Sequence, residues 1–290
     1  MILVTGATGN TGRAVVAGLL AAGVAVRAMV RRPEQADRFP HGVEVVVADM
    51  GVGSSLPRAL EGVDQMLLIS PLDPGLVEMQ GRMAQAARVA GVRRVVKIST
   101  EIADAQSEAL IGRWHGLAER EVEATGLAFF HLRPCNFMQN LYSFAAQIES
   151  SGGFSAPLGS AQISLVHVED LAAVAVAALL KSELANGALV VTGQDRPTYG
   201  EFAHALGTAL GRPVRYEATT PAVAKQRFSA TGMPTWKVQE LLRMYAFLQD
   251  PLHTQTTDAV RMFTGNGPRV FADFVRDYAA RLASGEKLHG

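Results

Sequence analysis

The sequence predicts an α/β fold in which a doubly wound parallel sheet is joined to a smaller, mainly helical C-terminal domain. Short apolar runs alternate with helical patterns along the first half of the chain. The runs are rich in valine and show little apolar/polar alternation, as in strands that are buried on both faces. Successive β and α units of this kind build a parallel sheet with right-handed crossovers. A third observation is a glycine-rich turn between the first apolar run and the first helical pattern.

The elements follow one another in a regular order. A helix is predicted near residues 10–22, and another over 168–182 returns the chain to the sheet. Residues 150–160, SSGGFSAPLGS, are rich in Gly, Pro and Ser and predict a loop. The apolar runs that predict strands are residues 2–5, 24–30, 43–48, 64–70, 93–99, 127–133 and 187–193. The helical patterns that predict the smaller domain lie near residues 198–210, 221–231, 234–249 and 268–282.

Composition limits the classes of partner. The 290 residues are 48% hydrophobic and carry 27 basic and 27 acidic side chains, so no net charge attracts nucleic acid or an anionic membrane. The apolar stretches are shorter than the roughly 20 residues that span a bilayer. No signal-peptide pattern precedes the first strand. With one cysteine and hence no disulfide, we expect a cytoplasmic monomer or homodimer that binds an apolar or aromatic small molecule.

The glycine-rich turn reads GATGNTG, with glycines at 6, 9 and 12. Gly6 allows a tight turn at the end of the first strand, and Gly12 lets the following helix pack closely against it. Gly9 lets a diphosphate approach the free N–H groups of the helix N-terminus. Three polar side chains of the loop add hydrogen bonds: Thr8, Asn10 and Thr11. The spacing and position of the turn predict a dinucleotide-binding site.

The end of the second strand selects the dinucleotide. Arg31 and Arg32 stand where an acidic residue would bind a ribose 2′-hydroxyl, and arginine binds phosphate bidentately. We therefore expect NADP rather than NAD; the alternative is a pair of solvated arginines. Asp49 either reaches the adenine amino group or serves only as a turn residue. Further cofactor contacts are expected from four residues at the ends of the third and fourth strands: Met50, Ile69, Ser70 and Pro71.

Seven segments, in order along nearly the whole chain, resemble the NmrA-like group of atypical short-chain dehydrogenase/reductases. They read VTGATGNTG, VRRP, VVKIST, ATGLAFFHLRPCNFMQNL, ISLVHVEDLAAVA, VVTGQDRPTYGEFAHALGTALGRPV and FTGNGPRVFADFVRDY. The resemblance implies a Rossmann-like fold and NADP as cofactor, with the NADP-binding domain over 1–150, residues 162–193 returning to it, and a substrate or lid domain over 194–290. The group contains reductases and redox-sensing regulators, so the resemblance leaves the reaction open.

The usual proton donor of short-chain reductases, Tyr-x-x-x-Lys, is absent. None of the five tyrosines has a lysine four residues later: Tyr142, Tyr199, Tyr216, Tyr245 and Tyr278. His115 and Glu119 stand in the corresponding stretch, as H-x-x-x-E does in the NmrA-like pattern. The two share a helix face, so the carboxylate is positioned to orient the imidazole or raise its pKa. His115 is either a proton donor or nicotinamide contact, or a core histidine.

Three polar residues follow one another closely at the end of the fifth strand. Lys97 either binds cofactor phosphate or ribose, or is a buried lysine paired with a carboxylate. Ser99 is a candidate catalytic hydroxyl and Thr100 a candidate substrate contact, because short-chain reductases keep a hydroxyl donor at this edge of the sheet. Their alternative role is to form the turn into the next helix.

The segment after the sixth strand supplies the remaining candidates. Pro134 and Asn136 are expected to border the nicotinamide, and Cys135 between them is a packing residue. An apolar substrate wall is expected from Trp114, Phe137, Met138, Phe154 and Trp236. Each of these five residues also fits a place in the core. No His, Cys or acidic spacing typical of a metal site occurs.

These features predict an NADPH-dependent reductase that passes hydride to a flat conjugated acceptor such as a quinone, an enone or an iminium ion. Hydride transfer to such acceptors creates delocalised charge, so the missing tyrosine acid is less necessary. Two alternatives remain at this stage. One is an NADP(H)-binding redox sensor without catalysis, and the other is a non-redox biosynthetic isomerase.

Overall fold

The computed structural model of the protein describes residues 1–250, 255–286 and 288. Residues 251–254, 287, 289 and 290 of the predicted smaller domain lie outside the described residues. The chain divides into two compact units. Unit 1 comprises Met1–Pro134, Val168–Val191 and Asp258–Gly267, and unit 2 comprises Cys135–His167, Thr192–Thr257 and Pro268–Gly290. No helix in the described part of the chain is long and apolar enough to cross a membrane.

Unit 1 is built on a seven-stranded sheet. Numbered along the chain, its strands are β1 (Ile2–Val4), β2 (Val26–Val30), β3 (Val43–Val47), β4 (Gln65–Leu68), β5 (Arg94–Ile98), β6 (Ala128–Pro134) and β10 (Gly187–Val191). All neighbours are parallel, in the order β10-β6-β5-β4-β1-β2-β3. The seven predicted strands and the doubly wound fold class are confirmed. Because the strands are parallel, their carboxyl ends meet at one edge of the sheet.

Helices flank this sheet. They are α1 (Asn10–Ala21), α2 (Leu56–Leu60), α3 (Leu76–Val89), α4 (Leu110–Ala124), α6 (Val168–Leu180) and α10 (Ala259–Thr264). Helix α1 packs against α6, and α3 packs against α4. A core of fully buried side chains, including Leu3, Met66 and Val95, is closed by residues of α2 and α3. Such burial of apolar area is the main source of stability.

Unit 2 is mainly helical. Its helices are α5 (Ala145–Ser151), α7 (Tyr199–Leu210), α8 (Pro221–Ala230), α9 (Thr235–Leu248) and α11 (Phe271–Ala283). Its short strands pair in parallel as β7 (Asn136–Phe137) with β9 (Leu165–Val166), and β8 (Gly153–Ala156) with β11 (Arg215–Ala218). The four helices predicted after Pro197 are present, and α7 begins with a Thr198–Glu201 capping box. The predicted helical C-terminal region is therefore confirmed.

The borders between the units differ from the predicted ones. The chain leaves unit 1 after Pro134 rather than near residue 150, and residues 258–267 return to unit 1. The stretch 150–160, predicted as a loop, contains β8. Phe154 of β8 stacks on Phe144 at 4.4 Å within the aromatic core of unit 2. These contacts between residues distant in the chain decide the border, and local composition does not reveal them.

Candidate active site

The turn after β1 is fixed by a buried threonine. Thr5 Oγ1 lies 2.7 Å from Ile69 N and 2.7 Å from Ile69 O, so its hydroxyl accepts one hydrogen bond and donates another. These bonds hold the ends of β1 and β4 together. The next residue, Gly6, has φ +58, and an added Cβ would lie 3.0 Å from the Ile69 side chain. Glycine is thus required at position 6 by both backbone and space.

The other two glycines of the turn differ in what requires them. A Cβ at Gly12 would lie 2.2 Å from the carbonyl oxygen of Gly6. Glycine at 12 is therefore what allows α1 to pack this closely on the turn. Gly9 has an ordinary extended backbone (φ −78, ψ 170), and a Cβ there would meet only Gly6 O, at 3.4 Å. The protein itself therefore does not require glycine at 9. The open space in front of Gly9 and the uncapped start of α1 form a cradle for an anion.

A cavity of about 250 Å³ opens beside this turn, at the carboxyl ends of β1, β2, β3 and β4. Nine predicted cofactor residues line it: Gly6, Thr8, Gly9, Arg31, Asp49, Met50, Ile69, Ser70 and Pro71. Four further residues that the sequence reasoning missed complete the wall: Met29, Val30, Gln35 and Met79. The structure therefore brings together the three strand-end motifs that the sequence singled out.

The two candidate arginines are placed differently. Arg31 lines the cavity, whereas Arg32 is not part of its wall. Both are exposed, and neither guanidinium forms an ion pair in the described part of the chain. Gln35 Oε1 accepts hydrogen bonds from the backbone N–H groups of both, at 3.1 Å each. The amide of Gln35 thus fixes the backbone of the arginine pair and makes no contact with either guanidinium.

Two other cavity residues have roles in the protein itself. Asp49 Oδ1 accepts the Gly51 N–H at 2.7 Å, so this carboxylate forms a turn and also lines the cavity. The two roles that the sequence left open for Asp49, turn residue and adenine contact, are therefore compatible. Ser70 Oγ accepts a 2.8 Å hydrogen bond from the amide of Gln80, a fully buried residue of α3. A buried glutamine within an apolar helix face was the signal that could have revealed this support.

Lys97 lies apart from the cavity. Its side chain is fully buried, and its Nζ lies 3.0 Å from His115 Nδ1 and 3.4 Å from the carbonyl oxygen of Ile98. Lys97 is not part of the cavity wall, so its contact with cofactor stays a prediction, and its hydrogen-bond partner is a histidine rather than the expected carboxylate. The reason is strand alternation, since residue 97 of β5 faces α4, where His115 lies.

Glu119 does not orient His115, contrary to the sequence expectation. Its carboxylate is buried and forms a bidentate ion pair with Arg133 of β6, at 3.0 Å (Oε1 to Nε) and 2.5 Å (Oε2 to Nη2). Burial alone would raise the pKa of Glu119, but hydrogen bonds from Arg133 and Ser99 and the positive charges around it lower that pKa. Ser99 Oγ faces this carboxylate and, within the described residues, has no other side-chain or backbone partner.

The Lys97–His115 pair has strongly altered acidity. Burial lowers the pKa of Lys97 to about 7; the negative charge of Glu119 opposes this shift, and the positive charge of Arg133 adds to it. Burial and the positive charge of Lys97 hold the pKa of His115 well below its ordinary value. The imidazole is therefore neutral near pH 7, and the expectation that a carboxylate would raise its pKa is wrong. Its Nε2 forms no hydrogen bond to any described residue.

Two titratable residues near this pair were missed by sequence reasoning. Glu101 follows Thr100, and its backbone N–H donates to the carbonyl oxygen of Pro134 at 3.0 Å, at the carboxyl ends of β5 and β6. Burial raises the pKa of Glu101 to about 7. His131, paired in register with Lys97, is buried with Nε2 3.2 Å from Glu123. Only the pairing of β5 with β6 reveals these neighbours.

The remaining candidates divide between the units. Thr100, and Trp114 on α4, are half-buried in unit 1, and Pro134 ends β6. In unit 2, Met138 and Phe154 are buried in the core, and Asn136 Oδ1 accepts a hydrogen bond from Asn140 Nδ2 at 2.5 Å. Cys135 is buried, and Phe137 and Trp236 are half-buried. The proposed nicotinamide and substrate contacts of these residues stay predictions.

The sheet order, the glycine turn and the cavity at the strand ends define a Rossmann-like protein. The model of the NmrA-like family matches residues 1–263. The chain belongs to the NmrA-like family, as its seven sequence segments indicate.

Similar proteins have reductase names. An NAD(P)H azoreductase of Xenophilus azovorans is 39% identical, over 98% of this chain and 100% of its own length. A (4-alkanoyl-5-oxo-2,5-dihydrofuran-3-yl)methyl phosphate reductase of Streptomyces griseus is 37% identical, over 98% and 99%. The solved triphenylmethane reductase of Citrobacter sp. has a TM-score of 0.84 and 25% identity, over 96% of this chain and 99% of that one. The chain is therefore an oxidoreductase of this family.

Proposed function

We propose that the protein is an NADPH-dependent reductase of flat conjugated acceptors. The observation that carries the proposal is the cavity in which an open glycine turn lies beside Arg31, an arginine without an ion pair among the described residues. The free N–H groups at the start of α1, in front of Gly9, fit a diphosphate. The Arg31 guanidinium fits the 2′-phosphate that distinguishes NADP from NAD. When bound, the nicotinamide supplies hydride.

The names of the relatives support the class of acceptor. One relative is named for azo compounds, one for an unsaturated five-membered lactone with an alkanoyl group, and the solved structure for triphenylmethane dyes. Each of these compounds has a conjugated system that takes up hydride. In the neutral acceptors the resulting negative charge is spread over the conjugated system, and in the cationic dye hydride neutralises a positive charge. This chemistry needs less from a strong acid than reduction of a simple ketone does.

The test is to follow the nicotinamide absorbance of NADPH with purified protein and a panel of acceptors. The panel contains menadione, an azo dye, a 2(5H)-furanone and malachite green. We expect oxidation of NADPH with at least one of them, and slower oxidation of NADH. Arg31→Ala should lose most of the preference for NADPH, and Arg88→Ala, which changes an exposed residue of α3 outside the cavity, is its matched control. No oxidation with any acceptor, combined with different partner binding in NADP⁺ and NADPH, would favour a redox sensor instead.

A further inference from the structure

The Lys97–His115 contact is unusual in its chemistry. Lys97 is fully buried, yet no carboxylate forms an ion pair with it among the described residues. Its hydrogen-bond partners are His115 Nδ1 at 3.0 Å and the Ile98 carbonyl oxygen at 3.4 Å. Burying a charged amine without an ion-pair partner costs free energy, so the contact is not explained by stability alone.

The contact determines where His115 carries its proton. An ammonium group has three donors and no acceptor, so Lys97 donates to Nδ1. Nδ1 is then an acceptor, and the proton of the neutral imidazole lies on Nε2. Among the described residues, His131 Nδ1 is a buried side-chain atom without a hydrogen-bond partner, whereas His115 Nε2, which also has no partner, is not buried to that degree. Nε2–H therefore faces solvent-accessible space, while Nδ1 faces the buried lysine.

We propose that Lys97 and His115 form a proton relay in which Lys97 directs the imidazole proton to Nε2 and replaces it during reduction. The proposal rests on the proposed reductase function. It assigns Lys97 as a positioning residue that acts through His115, and not as a cofactor ligand. It also supplies the proton path that the missing Tyr-x-x-x-Lys motif leaves open.

The relay balances protons without any further reactant. Once hydride has reached a neutral acceptor, the acceptor anion takes the proton from His115 Nε2. Nδ1 then takes a proton from the Lys97 ammonium, which becomes a neutral amine. The N–H bonds at Nε2 and Nζ break, and new bonds form at the acceptor and at Nδ1. Before the next turnover a proton from solvent binds Nε2, and Nδ1 returns its proton to the Lys97 amine, so that the Nε2–H tautomer and the ammonium group are both restored.

The charged surroundings are consistent with this role. From α4 the pair is faced by Glu119, and from β6 by His131 and Arg133. Glu119 is bound to Arg133, so their charges largely cancel and neither takes the proton of Lys97. A pKa of about 7 allows Lys97 to give up and regain a proton near neutral pH. Glu101, also with a pKa of about 7, is the alternative source of a proton in this region.

The first experiment reads the histidine directly. Protein with ¹⁵N-labelled imidazoles is studied by long-range ¹H–¹⁵N correlation, and the His115 signals are assigned by their loss in His115→Gln. We expect His115 to be a neutral Nε2–H tautomer at pH 6, where Lys97 is an ammonium group. In Lys97→Met the Nδ1 signal should shift and the tautomers should mix. An Nδ1–H tautomer in the wild type, or an unchanged spectrum in Lys97→Met, would overturn the proposal.

The second experiment separates proton transfer from hydride transfer. Reduction of menadione needs a proton, whereas malachite green is a cation that hydride alone converts to a neutral product. We expect Lys97→Met to slow menadione reduction about 10- to 100-fold. It should slow malachite green reduction less than about threefold. Lys225→Met, an exposed lysine of α8, is the matched control. Equal losses with both acceptors would show a structural role and overturn the relay.

The pH profile completes the test. Lys97 must be charged to give a proton, so wild-type menadione reduction should fall as pH rises through about 7. The rate of menadione reduction should still fall with pH in Glu101→Gln but should no longer fall in Lys97→Met. The opposite pattern would assign the proton to Glu101 and overturn the relay. If the wild type reduces none of the four acceptors in the panel, the proposed function fails, while the imidazole spectrum still decides whether Lys97 directs the His115 proton.

Discussion

Unit 1 contains two polar regions of opposite character. At the cavity, the polar groups are backbone N–H groups and the exposed Arg31, which forms no ion pair with any described residue. Between β5, β6 and α4, the groups are buried, each is in contact with another ionisable group, and the pKa values of Lys97, His115 and Glu119 are all lowered. The proposed phosphate site depends on backbone shape and open space. The proposed proton relay depends on charges removed from water.

The sharpest test of the role of shape is the pair Gly12→Ala and Gly9→Ala. A Cβ at 12 would overlap the Gly6 carbonyl oxygen, so Gly12→Ala should destabilise the protein by about 3 kcal/mol. A Cβ at 9 makes only an ordinary contact, so Gly9→Ala should keep the wild-type Tm but weaken NADPH binding at least tenfold. Thermal unfolding and calorimetric titration measure the two effects. Equal loss of stability in both variants would contradict this distinction.

The buried ion pair should be costly to break. Glu119→Gln leaves Arg133 without its charge partner, and we expect a loss of about 2 kcal/mol in the free energy of unfolding. The matched exposed pair is Asp64 with Arg93, where Asp64→Asn should have little effect because solvent screens the charges. Denaturant unfolding of both variants at pH 7 makes the comparison. A loss of unfolding free energy in Asp64→Asn that exceeds the loss in Glu119→Gln would contradict this prediction.

Lys97 should make stability depend on pH. Its folded pKa of about 7 lies below the value of 10.5 in the unfolded chain, so the unfolded state binds more protons between these values. Stability should therefore rise with pH above 7, by about 2 kcal/mol between pH 7 and pH 9. Lys97→Met should remove this rise and be at least as stable as the wild type at pH 7. A wild-type Tm that falls over this range would refute the prediction.

The smallest effect concerns cofactor choice. Arg31→Ala should remove most of an at least tenfold preference for NADPH over NADH, which is about 1.4 kcal/mol, because one exposed arginine–phosphate contact is lost. Binding of NADH should change little. Arg32→Ala should have a weaker effect, since Arg32 is not part of the cavity wall. Calorimetry with both cofactors decides, and equal affinity of the wild type for NADPH and NADH would contradict the assignment.

Sequence prediction worked where the requirement is local. Gly6, Arg31 and the residues after β3 and β4 could be placed because each stands at the end of a strand whose pattern is clear. The same reasoning misplaced the partners of His115 and Glu119. Helical spacing put these two residues on one face, but their contacts come from β5 and β6. Gln35, Gln80 and Glu101 had no sequence signal as strong as a glycine turn.

The sequence by itself determined the parallel sheet, the order of its elements and the anion cradle, because strand burial, helix periodicity and glycine turns act over a few residues. Only the tertiary structure decided that the chain leaves unit 1 after Pro134 and that Lys97 meets His115. Those outcomes depend on which strands become neighbours and which charges lose water together. Pairing and desolvation of this kind arise between residues far apart in the chain, where local patterns carry no information.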